Sequence, residues 1–197
     1  NISQMKKILK LGIVGGGPGS WIGNIHRIAS RIDGKYKICA GSFSRNPKIS
    51  YAFGASLNLD KSRCYSNFKT MANKEFERED GIDVVAIMTP PGSHQVIGEF
   101  FIKKNFHVIS DKPFASTYSQ AKKLYSTIKK NKKIIYGLTH NYSAYPMVRM
   151  AKKLVKDNKI GDIEFVNVEY VQDWSKGIVV NKKNSKKIFR WKLDKKI

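Results

Sequence analysis

Several short segments of this chain carry residue types that could bind or react with a ligand. The first is Gly15-Gly16-Gly17-Pro18-Gly19-Ser20-Trp21-Ile22-Gly23. Glycines at this spacing let a backbone turn tightly and let a phosphate approach the N–H groups at the start of a following helix, where the helix dipole also favours negative charge. The candidate contacts are Gly15, Gly17, Gly19, Ser20, Trp21 and Ile22. Further along come Ser44-Arg45, then Thr89-Pro90-Pro91-Gly92-Ser93-His94, then Ser110-Asp111-Lys112-Pro113. A lysine between an acid and a proline, held at a strand end, is a fixed ammonium beside a ligand. Taken alone, it is more commonly a surface lysine.

These segments need elements that position them, and the hydrophobic pattern supplies such elements. Ile8 to Val14 is a short apolar run ending in glycines, the pattern of a buried parallel strand. The stretch 21–33 places Ile22, Ile25, Ile28, Ala29 and Ile32 at helical spacing. Strand, glycine turn and helix together form the context that a dinucleotide cradle requires. Tyr36 to Phe43 reads as a second strand ending at Ser44-Arg45. Asn46-Pro47 then gives an N-cap and a first-turn proline, opening a helix to about Leu57.

The alternation continues with a helix over 68–79, a buried strand over 82–88 ended by Thr89-Pro90-Pro91-Gly92, and a helix over 93–104. Next come a strand at 107–110, a helix at 118–131 with Thr117 and Gln120 spaced as a capping box, and a strand at 134–138. The pattern specifies an α/β fold, a Rossmann-type doubly wound parallel sheet, with the candidate segments at the carboxyl ends of its strands. A helix over 145–157 and an alternating strand, Asp162 to Trp174, then begin a second, α+β domain. The expected organisation is a cofactor domain over 5–138 and an incomplete second domain over 139–197. The solitary last strand and the Lys-rich stretch 175–197 read as a chain cut short at its C-terminus, with Met5 a plausible natural start.

At the end of the second strand, folds that prefer NAD place an acidic residue to bind the ribose hydroxyls. Ser44-Arg45 stands there instead. An arginine at this place could stack on adenine or meet a 2′-phosphate, so the cofactor is NAD or NADP; an ordinary exposed arginine is the alternative.

Composition narrows the function classes. Lys and Arg number 37 against 15 Asp and Glu, a formal net charge of +22. The excess is mostly lysine, is spread over nearly every predicted helix and is not interleaved with aromatics, which describes solvated faces better than a nucleic-acid groove. No apolar run approaches the roughly 18–20 residues needed to cross a bilayer, and no secretory signal pattern opens the chain, so a cytoplasmic protein is expected. Cys39 and Cys64 are far apart and suggest neither a disulfide nor a metal site; Cys39 reads as a small core residue. His26 and His107 read as structural.

The G-x-G loop, the T-P-x-x-x-H segment and D-K-P, in that order and at those separations, resemble the glucose–fructose oxidoreductase / inositol dehydrogenase (Gfo/Idh/MocA) family. The resemblance runs from about Met5 to Asp194. It implies NAD(P) bound by the N-terminal domain, with Thr89 and Pro90 among the cofactor contacts, and chemistry on sugars and polyols. It also implies Lys112 as the catalytic lysine, Asp111 as a ribose contact, His94 lining the nicotinamide side and a cis Lys112–Pro113 peptide.

His140-Asn141-Tyr142 is similar to a triplet in one branch of the family, which implies His140 and Asn141 near the nicotinamide or substrate. A turn with His and Tyr capping the sheet edge is the blander alternative. Gln172-Asp173-Trp174 and Arg190 to Asp194 resemble segments that lead into the substrate domain, whose sheet implies homo-oligomerisation. The G-D-x-G-x-H-like motif that supplies the family's catalytic Asp and His does not occur in these 197 residues.

Two readings follow. In one, the full-length protein is an NAD(P)-dependent dehydrogenase of a secondary alcohol, and this portion alone is inactive. In the other, the chain is a non-catalytic NAD(P)-binding module or remnant. A basic nucleic-acid-binding protein is the weaker alternative.

Overall fold

The first apolar run forms strand β1 (Leu9–Gly15) in the computed structural model, which describes residues 7–172. Helix α1 (Trp21–Ile32) and strand β2 (Tyr36–Ser42) follow, then α2 (Pro47–Ser56) and α3 (Phe68–Glu77). Strand β3 (Val84–Met88), α4 (His94–Ile102), β4 (His107–Asp111), α5 (Tyr118–Lys130) and β5 (Tyr136–Thr139) complete a five-stranded sheet of order β2-β1-β3-β4-β5. Every pairing in it is parallel. The expected doubly wound α/β fold is present.

Beyond β2 the sheet carries one more contact. Gly41 and Cys64 form an isolated parallel bridge, and Tyr65 N–H donates to Gly41 O at 2.8 Å. Counting this bridge as a residual strand gives the 3-2-1-4-5-6 order of the dinucleotide fold. The order reverses between β1 and β3, so the crevice outside their carboxyl ends is where a ligand binds in such a sheet.

Side chains alternate along β3 and feed two cores. Val85 and Ile87 pack with Met71 and Ala72 of α3, Ile97, Phe101 and Ile102 of α4 and Leu124 of α5. Val84, Ala86 and Met88 pack with Ile22 of α1 and Phe53 of α2. Helices therefore cover both faces, and each fully buried large side chain contributes on the order of 1.5–3 kcal/mol. Ser20, Asn46, Asn67 and Thr117 cap α1, α2, α3 and α5 through their side chains, as their residue types predict. Gln120 Oε1 closes the last of these on Ser116 N–H at 3.1 Å, one residue before the cap itself.

Helical spacing identified α1 but not its packed face. Ile25, Ile28 and Ile32 are exposed, whereas Gly23 and Ser30 are buried. Small residues let this helix lie close to the sheet. Cys39 is only half-buried on the sheet's outer strands, and its neighbour Ala40 takes the core position; Cys64 is the buried cysteine.

A buried ion pair anchors the far side of the residual strand. Glu75, 1% exposed, receives Arg63 Nε at 3.1 Å and also Arg63 Nη2, Tyr65 OH at 2.7 Å and Ile82 N–H at 3.1 Å. Burial and the Glu75 carboxylate both push the Tyr65 phenol well above its usual range.

The chain divides after Thr139 into two compact units. The second contains a 3-10 turn, Asn141–Ala144, and α6 (Pro146–Lys156). Tyr142 packs edge-on against Tyr145 and Tyr170, with its hydroxyl 2.6 Å from that of Tyr170. The strand expected over 162–174 is not formed in residues 162–172, because no segment among the described residues pairs with it to make a ladder. Asp173, Trp174 and the Arg190–Asp194 segment lie outside the described residues.

Removing Glu75 strands the Arg63 guanidinium in the interior. Glu75→Ala should lower unfolding free energy by about 3–5 kcal/mol in urea titrations. Asp80→Ala, on the exposed side of the same guanidinium, should cost far less.

Candidate functional site

The glycine turn is built by backbone contacts that leave no room for side chains. Gly15 has φ +83°, and a Cβ there would meet Met88 O at 2.7 Å. A Cβ on Gly17 would meet Phe43 O at 2.5 Å, and one on Gly23 would meet Gly16 O at 2.3 Å. The turn is thus pressed onto the end of β3, onto the residue after β2 and onto α1. Gly19 differs: its φ is +73°, yet nothing lies within 4 Å of the Cβ position, so this side of the turn opens outward.

The start of α1 supplies donors to that opening. Ser20 N–H is held by Gly17 O, and Gly23 N–H by Ser20 Oγ, both at 3.1 Å. The first-turn N–H groups of Trp21 and Ile22 have no intrahelical acceptor and remain for a ligand. Arg27, which sequence reasoning did not single out, donates from Nη1 to Gly16 O at 2.7 Å and stacks over Phe53 at 5.1 Å. It ties the turn to α2 and adds positive charge beneath it. An open, positively biased cradle with two free N–H donors fits a dinucleotide pyrophosphate.

The Ser44-Arg45 segment borders this cradle. Phe43, whose carbonyl touches Gly17, is pinned by Ser50: Phe43 N–H donates to Ser50 Oγ at 2.9 Å, and Ser50 Oγ donates to Tyr65 O at 2.7 Å. Ser44 Oγ accepts from Asn46 N–H at 3.1 Å, and Arg45 is exposed.

Thr89 and Pro90 follow directly on β3, and Ser93 Oγ lies 2.7 Å from Thr89 Oγ1, closing the turn into α4. His94 is placed otherwise than expected. Its side chain is fully buried, with Nε2 2.7 Å from Thr89 O and Nδ1 2.8 Å from Pro113 O. Both ring nitrogens face backbone carbonyls, so neither is free to bond a ligand. A neutral ring carries one N–H and donates it to one of these carbonyls at a time. The histidine clasps the turn after β3 to the loop after β4.

That loop holds Asp111 and Lys112. Asp111 Oδ1 accepts from Thr139 Oγ1 at 3.0 Å, which fixes the carboxylate against β5. Lys112 is exposed and makes no ion pair among the described residues, and the Lys112–Pro113 peptide is cis. Burial pushes the His26 imidazole below its usual range, and the nearby Asp111 carboxylate opposes that shift. His26 therefore lies near Asp111, a position its sequence context did not reveal. His107 is structural, its Nδ1 accepting Ile135 N–H at 3.1 Å.

The glycine turn and the segments at 44–45, 89–94 and 111–112 thus occupy one edge of the sheet, at the carboxyl ends of β1, β2, β3 and β4. His140 and Asn141 open the second unit, where His140 O accepts from Ser143 Oγ at 2.7 Å.

Residues 9–140 match the sequence profile of GFO_IDH_MocA, described as an oxidoreductase family with an NAD-binding Rossmann fold. The chain belongs to the Gfo/Idh/MocA oxidoreductase family. The Bacillus subtilis oxidoreductase YfiI is 35% identical over 167 residues, which are 84% of this chain and 42% of that protein. An oxidoreductase of Sinorhizobium meliloti is 44% identical, with a TM-score of 0.75 over 79% of this chain and 43% of its own. An inositol dehydrogenase homologue of Azotobacter vinelandii, crystallised with NADH and myo-inositol, is 32% identical, with a TM-score of 0.76 over 80% of this chain and 41% of its own. The chain spans about two-fifths of the length of these Gfo/Idh/MocA relatives. Among the described residues, no helix is long and apolar enough to cross a membrane.

The clasp makes a stability prediction. His94→Ala removes a fully buried ring together with its polar contacts to two backbone carbonyls, and should lower unfolding free energy by about 2–4 kcal/mol. Denaturation curves that overlay those of the unsubstituted chain would show that His94 is an open ligand contact instead.

Proposed function

We propose that this chain is the cofactor-binding part of an NAD(P)-dependent oxidoreductase that moves a hydride between the nicotinamide and a secondary alcohol of a sugar or polyol. In this reading residues 5–138 are the cofactor domain and 139–197 the opening of the substrate-handling domain. The observation that carries the proposal is one sheet edge that presents both an open glycine cradle, after β1, and an exposed lysine, after β4. The nicotinamide, when bound, supplies the hydride acceptor or donor.

The chain's own residues then have distinct tasks. The turn from Gly15 to Gly19 and the N–H groups of Trp21 and Ile22 hold the pyrophosphate. Thr89 and Pro90 border the path toward the nicotinamide, and Asp111 orients a ribose hydroxyl. The Lys112 ammonium stabilises negative charge developing on the alcohol oxygen as hydride departs. Taking the hydroxyl proton needs a further group, and the Asp/His motif implied by the family resemblance is absent from these 197 residues. His140 and Asn141 belong near the nicotinamide or substrate in the same reading. The A. vinelandii homologue, crystallised with NADH and myo-inositol, supports a polyol over other alcohols.

The 197-residue chain should bind NADH or NADPH, seen as a change in nucleotide fluorescence, and Gly19→Val should weaken that binding at least about tenfold by filling the cradle. It should not turn over myo-inositol. In the whole protein, Lys112→Ala should lower kcat by on the order of 10²–10⁴. No response to either nucleotide would overturn the reading. Polyol turnover by the 197-residue chain, abolished by Lys112→Ala, would show that no further proton acceptor is needed.

A further inference from the structure

Resting on the cofactor reading above, we propose that this chain takes the 2′-phosphorylated dinucleotide in preference to the unphosphorylated one, with Arg45 gripping the 2′-phosphate. The placement follows from the sheet. Strand β2 lies parallel to β1, with Val14 opposite Ser42, so the two chains leave the sheet side by side. One leads into the glycine turn and the other into Phe43-Ser44-Arg45. The two exits touch, since a Cβ on Gly17 would lie 2.5 Å from Phe43 O. A dinucleotide whose pyrophosphate rests on the turn therefore brings its adenosine ribose to residues 44 and 45.

The chemistry there suits a phosphate and not a free diol. A ribose 2′,3′-diol presents two O–H donors, which a carboxylate can accept together. Residues 34–59, which include all of β2 and α2, contain neither Asp nor Glu. Acids flank this span but are engaged elsewhere: Asp33 pairs with Lys35 at 2.8 Å before β2 begins, and Asp60 accepts Ser62 N–H at 2.8 Å beyond α2. At the strand exit, Ser44 Oγ already accepts from Asn46 N–H. Arg45 has donors only, so it cannot accept a hydroxyl proton, but its guanidinium can meet a phosphate dianion through two parallel N–H···O bonds.

Arg45 is also free for this task. It is exposed and makes no ion pair among the described residues, and the exposed Lys48, second residue of α2, adds a further cation. The Asn46 side chain occupies Lys48 N–H at 3.0 Å, so selectivity at this place falls to side-chain cations. Arg27 is engaged under the turn by Gly16 O and the Phe53 ring, and does not compete for the ligand.

The test is a pair of fluorescence titrations of the 197-residue chain, with NADPH and with NADH at one fixed ionic strength. NADPH should bind at least about tenfold more tightly, in keeping with a charge-assisted bidentate contact. Arg45→Ala should collapse the affinity ratio toward one, and Arg45→Glu should reverse it in favour of NADH. Equal or tighter NADH binding by the unsubstituted chain, or a ratio that survives Arg45→Ala, overturns this proposal and leaves the cofactor reading standing. Failure of both nucleotides to bind removes the cofactor reading and this proposal together. Matching thermal melts for the variants, expected because Arg45 is exposed and unpaired, separate loss of recognition from loss of fold.

Discussion

The site depends on one close approach of backbone to backbone. Gly16 and Gly23 lie so near each other that a Cβ on Gly23 would sit 2.3 Å from Gly16 O. That contact seats α1 directly beneath the turn and aims its first N–H groups into the cradle, and it is possible only where neither residue carries a side chain. Arg27 holds the same carbonyl from the other side, so the turn is fixed by a hydrogen bond as well as by shape. Because the turn also bears on Phe43 O and Met88 O, its position sets that of the residues following β2 and β3.

A second constraint acts where the loops after β3 and β4 meet. Parallel strands leave their connecting loops independent of one another, and nothing in the β3–β4 ladder itself determines how the loop after β4 lies against the turn after β3. His94 does this by setting a ring nitrogen against a carbonyl of each. The consequence is a division of labour: the buried side chains around the edge position backbone, while Arg45 and Lys112 stay exposed and unpaired for a ligand. Thr139 plays the matching part for Asp111, fixing a carboxylate one residue before Lys112.

How much of this was legible in the sequence differs by residue. Strands β1 and β3 were plain because continuous apolar runs bounded by glycine and proline have few other uses, and the caps at Asn46 and Thr117 were plain because their chemistry is local. The residual strand at Cys64 was not, since it amounts to one bridge with no run of its own. Helix α1 was recognised by its isoleucines, yet packs through Gly23 and Ser30, because periodicity reports a face without saying what covers it. His94 was read as a ligand contact from its place in a motif; only burial and partners reveal that both nitrogens are occupied. Arg27 carried no signal, because a basic residue in the middle of a basic helix looks like a solvated one. The expected strand at 162–174 failed over its described part because a strand is a property of a pair, and alternation in one segment says nothing about its partner.

Charge placement, rather than net charge, connects these observations to function. Asp33 and Asp83 sit at the amino ends of β2 and β3, where Lys35 and Lys7 respectively pair with them, and Lys10 N–H also donates to Asp83. Glu75 is consumed by Arg63 and Tyr65 in the interior. The acids of the sheet unit that could neutralise the carboxyl edge are thus largely committed elsewhere, and the exception, Asp111, is engaged by Thr139. What remains at that edge is Arg45, Lys112 and the free N–H groups that open α1. Surface lysines scattered over the helices contribute a diffuse positive field that speeds encounter with any anion, and that field is screened by salt within about 10 Å. Selective recognition must come instead from the few donors gathered at one place, and in this fold that place is the carboxyl edge of the sheet.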